Sequence, residues 1–145
     1  MNLSKNFELQ EFTISDTALR KHIDNKPNSY ELINLTLLCT NLMQPIRDKV
    51  GRIKVTSGFR SKALNIAING SLTSQHSEGK ACDFIALDTD MLKTFLWIKD
   101  NMEHDQLIWE FGKWIHVSFN LKQNRKQCLE AYLVDGITKY RNYGG

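Results

Sequence analysis

Apolar residues recur at three- and four-residue steps from Tyr30 to Val50. Leu32, Leu35, Leu38, Leu42, Ile46 and Val50 fall on one stripe, which predicts the longest helix of the chain, buried along that side. Pro45 lacks an amide hydrogen and its ring crowds the preceding turn, so this helix is expected to kink or end near Met43. Lys26-Pro27-Asn28-Ser29 breaks the chain ahead of it. Further upstream, Phe7 to Phe12 alternates too briefly to define a strand, and Ser15-Asp16 offers an N-cap to a short helix through Leu19 and His22.

Beyond the long helix the period changes from helical to strand-like. Arg52 to Ser57 alternates polar and apolar, and Ser57-Gly58-Phe59-Arg60-Ser61 turns the chain into a short helix through Leu64 and Ile68, stopped by Asn69-Gly70-Ser71. Leu72 to Lys80 is polar, rich in Ser and without period, so it is expected as loop. A strand follows from Ala81 to Leu87, with Asp83 on one face and Cys82, Phe84 and Ala86 on the other. Asp88-Thr89-Asp90 caps a helix carrying Met91, Phe95 and Ile98. Gln106 to Phe111 and Trp114 to Asn120 read as a hairpin around Gly112-Lys113, with Ile115, Val117 and Phe119 inward and Trp114, His116 and Ser118 outward. A last strand from Gln127 to Val134 and a polar tail close the chain. Helices before and between antiparallel strands predict a small α+β fold.

With 145 residues, 41% of them hydrophobic, the chain fits one domain spanning 1–145 with a real core. The net charge of +3 is weak. Basic residues are scattered except around Lys122, Arg125 and Lys126, short of the stripe a nucleic-acid binder needs. No apolar run approaches a signal segment or a membrane span. The expectation is synthesis in the cytoplasm, no stable membrane insertion, a monomer, and action elsewhere only after release by another agent. Cys39, Cys82 and Cys128 lack Cys-x-x-Cys spacing and lie among apolar residues, as reduced, buried thiols do.

Polarity in the wrong place supplies the candidate chemistry. Asp83 interrupts the apolar run Ala81 to Leu87, and His116 interrupts Trp114 to Phe119. A carboxylate on such a strand is costly unless it is paired or bound to a cation. With His76 in the preceding loop, two imidazoles and one carboxylate form a ligand set suited to Zn²⁺ that leaves a fourth position open. The alternative is a direct hydrogen bond between Asp83 and His116 in a satisfied core, with His76 a solvated loop residue. His22 and His104 stay outside the set. A hydrolytic zinc also needs a carboxylate to carry a proton, and Glu110 and Glu78 are the candidates. A two-residue turn at Gly112-Lys113 points Glu110 away from His116, whereas a three-residue loop, Phe111 to Lys113, puts both on one face. The three-residue loop is expected, because a carboxylate inside Gln106 to Phe111 otherwise has no reason. Arg60 offers a planar fork for a substrate carboxylate or a developing oxyanion, and Trp114 a groove wall.

Ser57-Gly58-Phe59-Arg60-Ser61, Leu64-Asn65, Asn69-Gly70-Ser71, Ser74-Gln75-His76 through Gly79-Lys80-Ala81-Cys82-Asp83, and Trp114-Ile115-His116-Val117-Ser118 together resemble the zinc D-Ala-D-Ala carboxypeptidase family. That family includes vancomycin-resistance dipeptidases and phage L-alanyl-D-glutamate endopeptidases, and shares its metal site with the hedgehog signalling domain. The resemblance implies a small antiparallel sheet carrying zinc on His76, Asp83 and His116, packed with helices, and hydrolysis of peptidoglycan stem or cross-link peptides by an endolysin-like enzyme. It carries Arg60 over as the arginine that supports the substrate carbonyl or carboxylate, and Ser74 and Gln75 as positions lining the site; Ser57 and Trp114 complete the expected substrate-binding set. One departure is Lys113, three residues before the last histidine, where many members carry their acidic base; Glu110 matches a glutamate farther upstream in short phage-like members. The rival readings are a non-catalytic zinc module, which Lys113 favours, and a cytosolic D,D-dipeptidase.

Overall fold

The computed structural model describes residues 1–144. Its elements run β1 (Asn2–Ser4), β2 (Phe7–Glu8), α1 (Leu9–Thr13), α2 (Asp16–Arg20), α3 (Ser29–Leu38), α4 (Gln44–Val50), β3 (Ile53–Ser57), α5 (Lys62–Ala67), β4 (Ala81–Ala86), α6 (Met91–Asn101), β5 (Gln106–Glu110), β6 (Trp114–Ser118), β7 (Gln127–Val134) and β8 (Ile137–Asn142). A π-helical turn, Cys39–Met43, joins α3 to α4, and a 3₁₀ turn, Gln75–Glu78, precedes β4.

The long helix forms as its apolar stripe predicts, with Leu35, Leu38, Leu42, Met43 and Ile46 fully buried. Asn28 caps it, its side chain accepting from the Glu31 amide at 2.8 Å while Glu31 accepts from the Asn28 amide. The effect of Pro45 appears one turn earlier. The Gln44 amide reaches back five residues to the Cys39 carbonyl, the wider ring of a π turn, so the chain passes into α4 without a break.

Two sheets form. One is the small β1–β2 pair, and the other has six strands in the order β3-β4-β6-β5-β7-β8. The larger sheet is antiparallel except where β7 runs parallel to β5, so the expected purely antiparallel sheet is corrected to a mixed one. The cause is strand order. One edge of β6 is already held by β4, so the returning chain adds to the free edge of β5 and runs in its direction. Three further readings are revised. The opening segment forms the β1–β2 hairpin and α1, the polar tail pairs with β7 as β8, and Cys128 is only half-buried.

The sheet has one core face and one site face. On the core face Cys82, Phe84, Leu107, Ile115 and Val117 pack with the long helix, with Phe95 and Ile98 of α6, and with Phe7 and Phe12. Strand alternation sends their neighbours to the other side. There Asp83 pairs with His116 and His116 with Ile108 in one row, and Trp114, Glu110, Ala131 and Tyr140 form the next. Among the described residues no helix is long and apolar enough to cross a membrane.

Candidate active site

His76, Asp83 and His116, one from a turn and two from adjacent strands, each offer one ligand atom, all within 4.8 Å of one another. Asp83 Oδ1 lies 2.9 Å from His116 Nδ1 and 3.5 Å from His76 Nε2. The two edges at Asp83 bracket the roughly 3.3 Å between donors placed about 2.0–2.1 Å from a tetrahedral zinc, and two imidazoles with one carboxylate suit that metal in chemistry.

His76 is set up by its neighbours. Its Nδ1 donates to the Gly58 carbonyl at 2.7 Å, which fixes the tautomer and leaves the Nε2 lone pair toward Asp83. Its own carbonyl accepts from the Arg60 amide at 3.2 Å, so the turn that follows β3 holds both the ring and the backbone of His76. Gly58 is required there because a Cβ would stand 2.5 Å from the Cα of Phe12, while the next amide, Phe59, bonds the Phe12 carbonyl. Asn25 clips the same turn, donating to the Thr13 and Phe59 carbonyls and accepting from the Ser61 amide. The segment expected as plain loop is thus a capped 3₁₀ turn. Ser74 Oγ accepts from the His76 amide, Gly79 closes the turn in the left-handed region at φ +75°, and Asn34 of α3 holds the Glu78 carbonyl. His76 is consequently 3% exposed rather than solvated.

The electrostatics follow from burial. Desolvation alone would push the Asp83 carboxyl up, but the hydrogen bond from His116 and the two neighbouring imidazoles outweigh it and hold the group below the usual carboxylate range. Burial lowers the His76 pKa against the pull of Asp83, favouring the neutral imidazole that binds metals.

The hairpin takes the three-residue loop. Ile108 pairs with His116 and Glu110 with Trp114, and both Phe111 and Gly112 adopt positive φ. Glu110 therefore faces the cluster, 9% exposed, in one cleft of about 930 Å³ with Arg60, Gln75, His76, Asp83, Trp114, His116 and Tyr140. Burial raises its pKa to about 7, the Asp83 charge adding to the effect and His116 opposing it. A carboxyl poised near neutrality is suited to proton transfer. Glu78 lines a different depression and pairs with Lys80 at 3.6 Å, which separates it from the cluster. The loop residue Lys113 is exposed and outside the cleft lining.

Arg60 is half-buried, and desolvation lowers its pKa while Asp83 opposes the shift. Its Nη1 reaches Asn65 Oδ1 at 3.4 Å. Among the described residues, Arg60 Nε, Gln75 Oε1 and Trp114 Nε1, which belong to side chains lining the cleft, are buried polar atoms without a hydrogen-bond partner. Ser74 lines the cleft, and Ser57 pairs with Asp83 on the neighbouring strand while lining an adjoining depression that it shares with Arg60. His22 is exposed, and His104 is buried but does not line the cleft.

Asp105 was not a sequence candidate. It receives the Arg125 amide and guanidinium and the Gln75 side chain, all within 3.0 Å, tying the cleft floor to the loop before β7. A buried carboxylate in the polar turn Glu103-His104-Asp105 carries no local signal. Asn65 is similar, 4% exposed and donating to the Ser71 carbonyl at 2.8 Å behind Arg60.

Comparison with curated proteins gives no match. The Peptidase M15 family model, by contrast, matches residues 5–118, a stretch that contains the whole ligand cluster, Arg60 and Glu110. With most of its length matched and a ligand set that fits zinc, the chain belongs to the Peptidase M15 family of zinc peptidases.

Proposed function

We propose that this chain hydrolyses peptide bonds in peptidoglycan stem or cross-link peptides, as a monomeric endolysin of phage or prophage type acting at the cell wall after release. The observation that carries the reading is the convergence of the His76, Asp83 and His116 donors, the Glu110 carboxyl and the Arg60 guanidinium on one cleft. Zinc held by those three residues would supply a Lewis acid that polarises the scissile carbonyl and acidifies a water.

The chain's own residues do the rest. The Gly58 carbonyl holds the His76 Nδ1 proton and keeps Nε2 turned inward. The Glu110 carboxylate accepts a proton from water and returns it to the departing amine, for which a pKa near 7 serves both directions. Arg60 binds the anionic end of the peptide with the part of its guanidinium that lines the cleft. Gln75 and Trp114 line the same cleft and flank the bound peptide. The position of Glu110 in the cleft counters the argument from Lys113 for a non-catalytic module.

The test is mass spectrometry of soluble fragments from purified peptidoglycan incubated with the protein, with and without chelator. Chelator-sensitive release of new amino termini is expected and identifies the bond. Cleavage of free D-Ala-D-Ala but not of intact wall would replace the lysin by a dipeptidase, and no cleavage by folded, zinc-loaded protein would replace it by a binding module.

A further inference from the structure

The last hairpin, β7–β8, lies beyond the residues matched by the family model, yet one of its side chains lines the cleft. Tyr140 of β8 pairs with Ala131 of β7, Ala131 with Glu110 of β5, and Glu110 with Trp114 of β6. Directly paired residues share a sheet face, so these four form one row on the site face. Between Tyr140 and Glu110 stands only the methyl of Ala131, itself 2% exposed, and the two strand spacings separating them amount to about 10 Å of backbone. A long aromatic side chain leaning over that methyl covers most of the distance. Tyr140 remains 55% exposed, so it meets the open side of the cleft instead of being absorbed in packing.

We propose that Tyr140 is a substrate-contacting catalytic residue, its phenol hydroxyl donating a hydrogen bond to the reacting peptide on the Glu110 side of the cleft. The inference rests on the peptidase reading above. Burial and the negative charges of Glu110 and Asp83 raise the phenol's pKa, so it stays protonated and able to donate across the working pH range. Glu110 moves protons while Tyr140 holds one in place, and a donor aimed where negative charge develops acts mainly on turnover. Trp114 and Tyr140 would then flank Glu110 from opposite sides, one supplied by the family core and the other by the hairpin that follows it.

The experiment uses the full zinc-loaded chain as wild type, Tyr140→Phe and Tyr132→Phe. Tyr132 is a control from the same hairpin, one residue away from Ala131 and hence on the opposite face, with Arg141 over its ring at 4.4 Å. Peptide hydrolysis is measured alongside calorimetric binding of a non-hydrolysable phosphinate peptide, a mimic of the tetrahedral transition state. Tyr140→Phe is expected to lower kcat about 10- to 100-fold, leave KM within about threefold, and weaken phosphinate binding by about the factor lost in kcat, as for a hydrogen bond to a charged group. Tyr132→Phe is expected to change none of these. Unchanged kcat and phosphinate affinity in Tyr140→Phe, in a wild type that cleaves peptides, would overturn the role of Tyr140 and leave the peptidase reading standing. A wild type that neither cleaves nor binds the phosphinate would remove both.

Discussion

Glu110→Gln separates the proton-transfer role proposed for this carboxyl from its cost to the fold. The substitution keeps the side-chain shape and removes the charge. Loss of a group that both takes and returns a proton is expected to lower kcat about 10³- to 10⁴-fold, the upper part of the range for general acid–base catalysis. Stability moves the other way. Burial raises Glu110 from 4.5 to about 7, so the unfolded chain releases this proton first. The wild type therefore loses stability as pH rises from about 4.5 to 7, and above that range carries the full penalty. At 1.36 kcal/mol per pH unit the shift corresponds to ~3 kcal/mol, and solvent at the open side of the cleft screens this to about 1–2 kcal/mol. Denaturant unfolding with chelator present is thus expected to show the Gln variant more stable by that amount at pH 8 and equal to wild type at pH 4, with zinc binding retained. Hydrolysis within tenfold of wild type would refute the assignment of the base, and a stability difference independent of pH would refute the desolvation argument.

Gly58→Ala is expected to destabilise the fold by about 1–3 kcal/mol, because its Cβ meets the Phe12 backbone. The shift displaces the carbonyl that orients His76, so zinc affinity measured by competition with a chromogenic chelator is expected to fall about 10- to 100-fold; unchanged affinity would separate the turn from the metal site. Zinc at one hundred times its dissociation constant is expected to stabilise the wild type by about 2.7 kcal/mol in thermal melts, and His116→Ala to abolish that gain. An equal gain in the variant would place the metal elsewhere. Asp105→Asn is expected to cost about 1–3 kcal/mol near neutral pH. Arg125 holds Asp105 down at about 2, so this contribution is present above the ordinary carboxylate range and lost as pH falls through about 2. A pH-independent cost would show that packing, not the ion pair, carries it.

Asp83, His116 and the strands bearing them were legible in the chain because their signals are local, whereas the turn bearing His76 was not. A three- to four-residue stripe can bury only as a helix, and a period of two can hide only one face of a strand, so Asp83 and His116 stood out as polar groups in apolar runs. Glu110 was legible through the same period once the loop length was chosen, since a change of one residue reverses its face. Even the effect of Pro45 was local, although its relief through a π turn depended on the helix staying packed.

Strand order depends on which edges are already occupied, and no local pattern records that. β7 lies beside β5, and in parallel, because β4 had taken the other edge of β6. That choice brings Arg125, Gln127 and Tyr140 into the cleft and makes Asp105 a junction between Gln75 and the loop before β7. The tautomer of His76 and the pKa of Glu110 are likewise consequences of packing, the first set by a carbonyl 18 residues away and the second by a cleft wall drawn from five strands and the loops between them. Periodicity and residue chemistry act within a few positions of the chain and determine which groups are available. Edge occupancy, desolvation and close approach act between distant segments and decide what those groups face.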